Sequence, residues 1–434
     1  MEGHSIFDKI LIPTDLSEIS EKLVACANDI RNIQEVVLLH IIRTGHSPVK
    51  EREDVDRQRA LITNPDIAVR CLIKEDPGDD IPAAILKTAE IERPSLIIMG
   101  ARKGRLSKIL LGHDDIEVLA HSRTHVLIMR FPPQGFFAFR PRMIEGPLFF
   151  RILFPLDFSR PANDALKYVS ELEGVSEIIL LHVIRKIETE ERMNYILREV
   201  EKRLADAREK IKAEHPDIRV KMMVRYGDPT SQIVIVADEE MVSLVMMARF
   251  GKRDYIRKVP LGITTSKVTA LTKKPVLVMF TAIQLEINTR ELATSEFYLA
   301  EKIWFDYHQT KSDPEHDRIF AVFLEDTPVS IARCKRHDDG YEVDGIFTWE
   351  EFRRNGYSRK ALDLMIRECG NTVLFMYAVR HLVDFYASFG FEPIPEEDLP
   401  LTIRERYSWA MGEMENAKVC PMKREPAGQN KITG

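Results

Sequence analysis

The chain alternates short, almost uninterrupted apolar runs with longer stretches of helical period. KILIP (9–13), VVLLHII (36–42), a run ending near Cys71, SLIIMG (95–100) and HVLIM (125–129) make one series. RILFP (151–155), IILLHVI (178–184), VKMMV (220–224), SLVMMA (243–248) and VLVMF (276–280) make a second. Runs apolar at consecutive positions suit strands buried on both faces, and patterns such as DDIPAAILKTAEIE (79–92) suit the crossover helices between them. Each series predicts a five-stranded, doubly wound parallel sheet. Ligands of such sheets lie beyond the carboxyl ends of the strands, where strand order reverses.

The two series are copies of one unit. Pro13, Asp15, Ser17 and His40 map onto Pro155, Asp157, Ser159 and His182 with one offset of 142. Gly78 maps onto Gly227, Gly112 onto Gly262, and THVLIMR (124–130) onto KPVLVMF (274–280) with small drift. Such sustained register marks an internal duplication. Between the copies, FPPQGFFAFRPRMIEGP (131–147) is extended and too apolar to float free, so it reads as a strap along the domain faces.

From about residue 284 the pattern changes. RELATSEFYLAEKIWFDYHQ (290–309) has helical spacing. RIFAVFLED, TPVSIARCKRH and YEVDGIFTW then read as three strands joined by tight turns at Glu325-Asp326 and Asp338-Asp339-Gly340. EEFRRNGYSRKALDLMIRECG is a loop opening an amphipathic helix, NTVLFMYAV a further strand, and HLVDFYASFGFEPI a short helix, a stop at Gly390 and a strand. Boundaries are expected at 1–131 and 148–283 for the copies, 132–147 for the linker and 284–434 for the last domain.

Length and composition add bounds. The 434 residues suit about three domains. A net charge of −6 speaks against general nucleic-acid affinity, and no apolar run reaches the roughly 18 residues that span a bilayer. The start of the chain lacks the pattern of a secretory signal. Five scattered cysteines without a CxxC pair read as reduced thiols of a cytoplasmic protein, with no metal site and no disulfide framework.

Both front copies resemble the universal stress protein family. The carriers are ILIPTDLS and ILFPLDFS, the LLHII and LLHVI strands, and the glycine loop after the fourth strand. Nucleotide-binding members show G-x2-G-x9-G-S/T in that loop, where glycines let backbone N–H groups approach phosphates at a helix start. Here both loops depart from it. The first, Gly100 to His113, is one residue short, and His113 stands where a hydroxyl residue belongs. The second, opening at Ala248, lacks the opening glycine, is one residue too long to Gly262, and offers Thr264 one place beyond expectation. The resemblance implies ATP or another adenine nucleotide held by Asp15, the backbone of Ile41, Gly100, Gly104 and Gly112 in copy one. In copy two the counterparts are Asp157, Val183, Gly251, Gly262 and Thr264. Plain helix capping by Asp15, Asp157, Ser17 or Ser159 stays open beside that reading. Members of the family dimerise through the last strand, so an intramolecular pseudo-dimer pairing VLIM (126–129) with VLVM (276–279) is expected. A homodimer of whole chains stays open.

In the back domain, Arg353 to Ser358 joins a strand to a helix start, with Gly356 where amides must face outward. That geometry suits a pyrophosphate, supported by Arg353 and Arg354. The stretch resembles the GNAT superfamily of acetyl-CoA-dependent N-acetyltransferases. Its Q/R-x-x-G-x-G/A signature is met by Arg353, Gly356 and Ser358, and its GF turn by FYASFGFEPI. The resemblance implies a mixed-sheet domain binding acetyl-CoA through Arg353, Arg354, Asn355, Gly356, Tyr357 and Ser358. A bulged strand at Ile346, Phe347 and Thr348 would pair with the pantetheine arm. It further implies Glu342 as a general base, eleven residues before the signature arginine, with Asp344 on the same strand face. Tyr386, four residues before Gly390, would be the general acid. Exposed or core roles stay open for both residues. The expected activity is acetyl transfer to a primary amine, on a small molecule or a protein lysine, with the front copies sensing nucleotide. The alternative is a nucleotide-binding stress protein whose GNAT portion is silent.

Overall fold

The computed structural model describes residues 6–42, 48–75, 80–100, 113–131, 147–169, 171–185, 190–282, 284–305, 311–406 and 419–426, arranged in two units, Met1–Ile283 and Gln284–Gly434. The strap expected over the linker lies outside the described residues, as do Gly104, Gly112 and the basic residues between them.

In the front unit the first copy runs β1 (Lys9–Thr14), α1 (Glu18–Cys26), β2 (Glu35–Ile42), α2 (Pro48–Arg59), β3 (Ala68–Glu75), α3 (Ile81–Glu92), β4 (Leu96–Gly100), α4 (His113–His121) and β5 (His125–Met129). The second runs β6 (Arg151–Pro155), α5 (Arg160–Val169), β7 (Glu177–Ile184), α6 (Glu190–Glu214), β8 (Arg219–Tyr226), α7 (Pro229–Glu239), β9 (Leu244–Ala248), α8 (Lys252–Ile256), α9 (Ile263–Leu271) and β10 (Val276–Met279). Each copy is parallel throughout. Together they make one ten-stranded sheet in the order β3-β2-β1-β4-β5-β10-β9-β6-β7-β8. The seam is antiparallel, with Val276 opposite Ile128, Leu277 opposite Leu127 and Val278 opposite Val126, the pairing expected for a pseudo-dimer.

Consecutive apolar positions exist because both faces are covered. Ile10 and Ile12 of β1 join one cluster and Leu11 the other, and both clusters run through both copies. Helix starts are set locally. Ser17 caps α1, and Asp80 and Asp228 cap α3 and α7, each followed by proline in the first turn.

The expected strand near Cys71 is longer than its pattern suggested: β3 continues to Glu75, with Cys71 mid-strand. It is a sheet edge, so none of its residues is buried and its apolar run is diluted by Arg70 and Lys74.

The back unit runs β11 (Ile287–Glu291), α10 (Phe297–Trp304), β12 (Asp317–Leu324), β13 (Thr327–Arg336), β14 (Tyr341–Thr348), α11 (Tyr357–Cys369), β15 (Leu374–Val379), α12 (Val383–Ala387), β16 (Glu392–Pro393) and β17 (Val419–Arg424). Its mixed sheet is ordered β11-β12-β13-β14-β15-β17-β16, with β14 and β15 parallel. The helix expected from Arg290 onward is shorter than its spacing suggested. Arg290 and Glu291 close the edge strand β11, and helix begins at Phe297. Strand β17, which carries Pro421, had no counterpart in the sequence reading.

Candidate functional site

In the first copy, β1, β2 and β4 end around a cavity of about 760 Å³ at the point where strand order reverses. Asp15, Ile41 and Gly100, singled out in the sequence, all line it, together with His40, Lys50, Glu51 and Asp54. Asp15 does not cap α1 itself. Ser17 accepts from the Ser20 N–H, while Asp15 Oδ1 accepts from the Ser17 N–H at 3.1 Å and from Ser20 Oγ at 2.5 Å. The carboxylate is therefore held at the cavity wall by the capped turn. His40 is fixed the same way, with Nδ1 3.0 Å from the Thr14 carbonyl and Nε2 3.1 Å from Glu51 Oε2.

The second copy is built differently at the same place. Asp157 Oδ2 accepts from the Lys252 N–H at 2.9 Å, and a Cβ on Gly251 would stand 2.9 Å from that oxygen, so loop and carboxylate are in contact. Asp254, on α8, accepts from the Ile263 N–H at 3.0 Å and so occupies the start of α9. Gly262 backs onto Arg249 O, where a Cβ would be 2.9 Å away, and Thr264 is half-buried in the first turn of α9. Phe158, the counterpart of Leu16, stacks on His182 with centroids 4.8 Å apart, and the Arg203 guanidinium lies over the Phe158 ring at 4.2 Å. Val183, on β7, is half-buried beside them. Of the backbone N–H groups that would meet a phosphate here, those of Lys252 and Ile263 already have carboxylate partners.

The back unit centres on β14. Ile331 pairs with Phe347 and Arg333 with Asp344, so Gly345 and Ile346 stand against Ala332 alone: a β-bulge. Gly345 has φ +57°, its carbonyl accepts from Trp304 Nε1 at 2.8 Å, and a Cβ there would meet the indole at 2.7 Å. Strands β14 and β15 pair only through Tyr341–Leu374 and Glu342–Phe375, then diverge while β15 stays paired with β17. The edge of β14 carrying Ile346, Phe347 and Thr348 thus opens toward a gap.

At the mouth of that gap α11 begins. Gly356 is its N-cap at φ +75°, preceded by Arg354 at φ +64°, and Arg353, Arg354, Asn355 and Gly356 are exposed. The first N–H groups of a helix have no carbonyl four residues back. Asn355 turns inward onto the Phe352 and Arg353 carbonyls, which leaves those amides uncovered by its side chain. Tyr357 is buried under the turn. A hydroxyl chain fixes the arrangement: Ser330 to Thr348 at 2.7 Å and Thr348 to Ser358 at 2.7 Å.

Glu342 is fully buried. Its Oε2 lies 2.8 Å from His337 Nε2 and 2.6 Å from Arg406 Nη1, whereas Oε1 has no hydrogen-bond partner among the described residues. The same guanidinium donates to Asp344 at 3.1 Å, so the two carboxylates do share a strand face. Burial alone would raise the Asp344 carboxyl, but two hydrogen bonds from Arg333 and the charge of Arg406 hold it below the ordinary value. His337 and Arg406 were not singled out as partners of Glu342 by sequence. His337 was legible only as a near neighbour, and Arg406 is distant along the chain. Tyr386 is buried in α12, edge-on to Phe385 at 5.1 Å, and its carbonyl accepts from the Phe391 N–H in the turn through Gly390. Trp304 is core, and Trp349 is half-buried against Phe347. Trp409 lies outside the described residues.

Comparison with known proteins gives two matches along the chain. The universal stress protein family matches residues 6–130 and 149–279, and the acetyltransferase (GNAT) family matches residues 282–391. A universal stress protein of Methanocaldococcus jannaschii is 33% identical over 152 residues, covering 30% of this chain and 93% of the relative. Among solved structures, a universal stress protein from Archaeoglobus fulgidus aligns at 24% identity and TM-score 0.44, over 62% of this chain and 95% of its own. An acyl-CoA N-acyltransferase from Pseudomonas aeruginosa aligns at 12% identity and TM-score 0.23, over 32% of this chain and 99% of its own.

Proposed function

The chain belongs to the universal stress protein family through both copies of its front unit, and its back unit is a GNAT domain; from that premise we propose an N-acetyltransferase that moves acetyl from acetyl-CoA to a primary amine. The observation that carries this reading is the gap between β14 and β15 beside the exposed start of α11. Amides of residues 354–358 would take the pyrophosphate, with Arg353 and Arg354 adding charge. The open edge of β14 at Ile346, Phe347 and Thr348 would hydrogen-bond the pantetheine amides.

Glu342 supplies a base of defined polarity. With Oε2 anchored by His337 and Arg406, Oε1 is the oxygen left to take the amine proton, directly or through water. The neutral amine attacks the thioester carbonyl, the tetrahedral intermediate collapses, and the thiolate leaves with a proton from Tyr386. Adenine nucleotide would occupy the front cavity of copy one, where Asp15 and the Ile41 backbone face it.

The test is thiol release from acetyl-CoA against a panel of amines. Gly356→Asp places a carboxylate and a strained φ at the cradle, and it should weaken acetyl-CoA tenfold or more, about 1.4 kcal/mol. Glu342→Gln should lower turnover about 10²- to 10⁴-fold without weakening acetyl-CoA. Unchanged release in both variants rejects the reading. The full burial of Glu342 favours a second one, in which the domain binds acetyl-CoA and releases no thiol with any amine.

A further inference from the structure

The fold brings together two cysteines that are distant in sequence and belong to no motif. Cys334, on β13, stands directly opposite Arg318 of β12 in the sheet register, and Cys369 closes α11. Cross-strand partners share a face of the sheet and α11 packs on β12 and β13, so both thiols lie beside Arg318. Arg318 Nη1 lies 3.3 Å from Cys369 Sγ and 3.2 Å from the Glu368 carbonyl, while its other edge is held by Glu291 through two bonds of 2.7 Å. Both cysteines are buried and carry free thiols.

A thiol buried among apolar groups is ordinarily inert. This pair differs in having a fixed guanidinium on one sulfur and a second thiol against it. The neighbouring Cys334 and the charge of Arg318, opposed by burial, hold the Cys369 thiol below its ordinary value, while Cys334 is pushed up. The guanidinium 3.3 Å from Cys369 Sγ favours its thiolate, which makes Cys369 the attacking sulfur and leaves Cys334 to resolve. Cys26, by contrast, is pushed up to about 12 by burial and by Asp29.

We propose that Cys334 and Cys369 form a two-electron redox site that closes to a disulfide when a peroxide or a small-molecule disulfide supplies the oxidant. With hydrogen peroxide, the Cys369 thiolate attacks one peroxide oxygen, the O–O bond breaks, and a sulfenic acid and water result. The Cys334 sulfur then attacks Cys369 Sγ, the S–O bond breaks and a second water leaves. Two thiols and one peroxide become one disulfide and two waters, with two electrons passing from the sulfurs to oxygen. The bond would tie the last turn of α11 to the sheet, at the opposite end of the helix from Gly356. The site is independent of whether the domain transfers acetyl groups.

The experiment treats the full chain, natively folded, with hydrogen peroxide near equimolar ratio, alkylates the remaining thiols, and digests it without reductant for mass spectrometry. The expected product is a single linked peptide pair, Cys334 with Cys369, two hydrogens lighter than the reduced pair and restored by dithiothreitol. Cys334→Ser and Cys369→Ser should each remove the link, and Cys26→Ser should leave it. Unfolding curves of the serine variants check that loss of the link is not loss of the fold. Full alkylation of both cysteines after oxidation, or oxidation of Cys369 to sulfinic acid in the wild type with no link, overturns the proposal.

Discussion

His125 illustrates how one residue loads the seam between the copies. It lies on β5, accepts from the Phe280 N–H at 3.0 Å through Nδ1, and packs between Phe7 and Tyr168. Burial pushes its pKa down to about 4. The unfolded chain takes up a proton near pH 6.5 and the folded chain only near 4, so this contribution is complete above about 6.5 and is lost as pH falls to about 4. The loss is on the order of 3 kcal/mol. The front unit should therefore melt at progressively lower temperature across that window. His125→Asn, which keeps an acceptor where Nδ1 stood, should flatten the profile in thermal scans; an unchanged slope would remove His125 from the account. Arginines span the same seam. Arg249 donates to Leu119 O and Ser122 O at 2.7 Å each, and Arg130 donates to Thr269 O. Burial lowers both to about 10, so both stay cationic at neutral pH and suit the helix ends they cover. None of this was legible in sequence, where an arginine beside an apolar strand reads as solvent-facing.

At the scale of elements, strand β14 carries the most consequence per residue. Its bulge rests on Gly345, the position that combines φ +57° with an indole 2.7 Å from any added Cβ. Gly345→Ala should cost about 2 to 5 kcal/mol, from left-handed backbone and overpacking against Trp304. It should also weaken acetyl-CoA binding, because the open edge begins there. Differential scanning calorimetry and acetyl-CoA titration check the two parts. The strands, the loop and α11 could be read from period and punctuation, because each is locally coded. Edge strands β3 and β11 were blurred by solvent-facing polar residues, and β17 was hidden by Pro421, which argues against a strand wherever its neighbours are unknown. The second glycine loop shows what an odd length does. It folds into α8, and α8 delivers Asp254 to the start of α9.

For the whole molecule, the duplication was legible and the inequality of its copies was not. Both loops depart from the family pattern by one residue, in opposite directions, and only the fold reveals that Asp157 and Asp254 already cover backbone amides in the second copy. One adenine nucleotide per chain is therefore the expected stoichiometry. In equilibrium dialysis with ATP, Asp15→Ala should weaken binding about tenfold or more, from a charge-assisted hydrogen bond of roughly 1.5–3 kcal/mol, and Asp157→Ala should not. Two equivalent sites would contradict the asymmetry. The proposed base Glu342 and acid Tyr386 came from the family resemblance; the His337 and Arg406 anchors needed tertiary structure, since Arg406 reaches β14 from far along the chain.

The antiparallel join of β5 with β10 lies within a single polypeptide. Dilution cannot part its two sides, because each copy meets the other at the fixed effective concentration that their covalent connection imposes. One copy is thereby free to drift in sequence and give up its own ligand while still serving as permanent scaffold for its sibling.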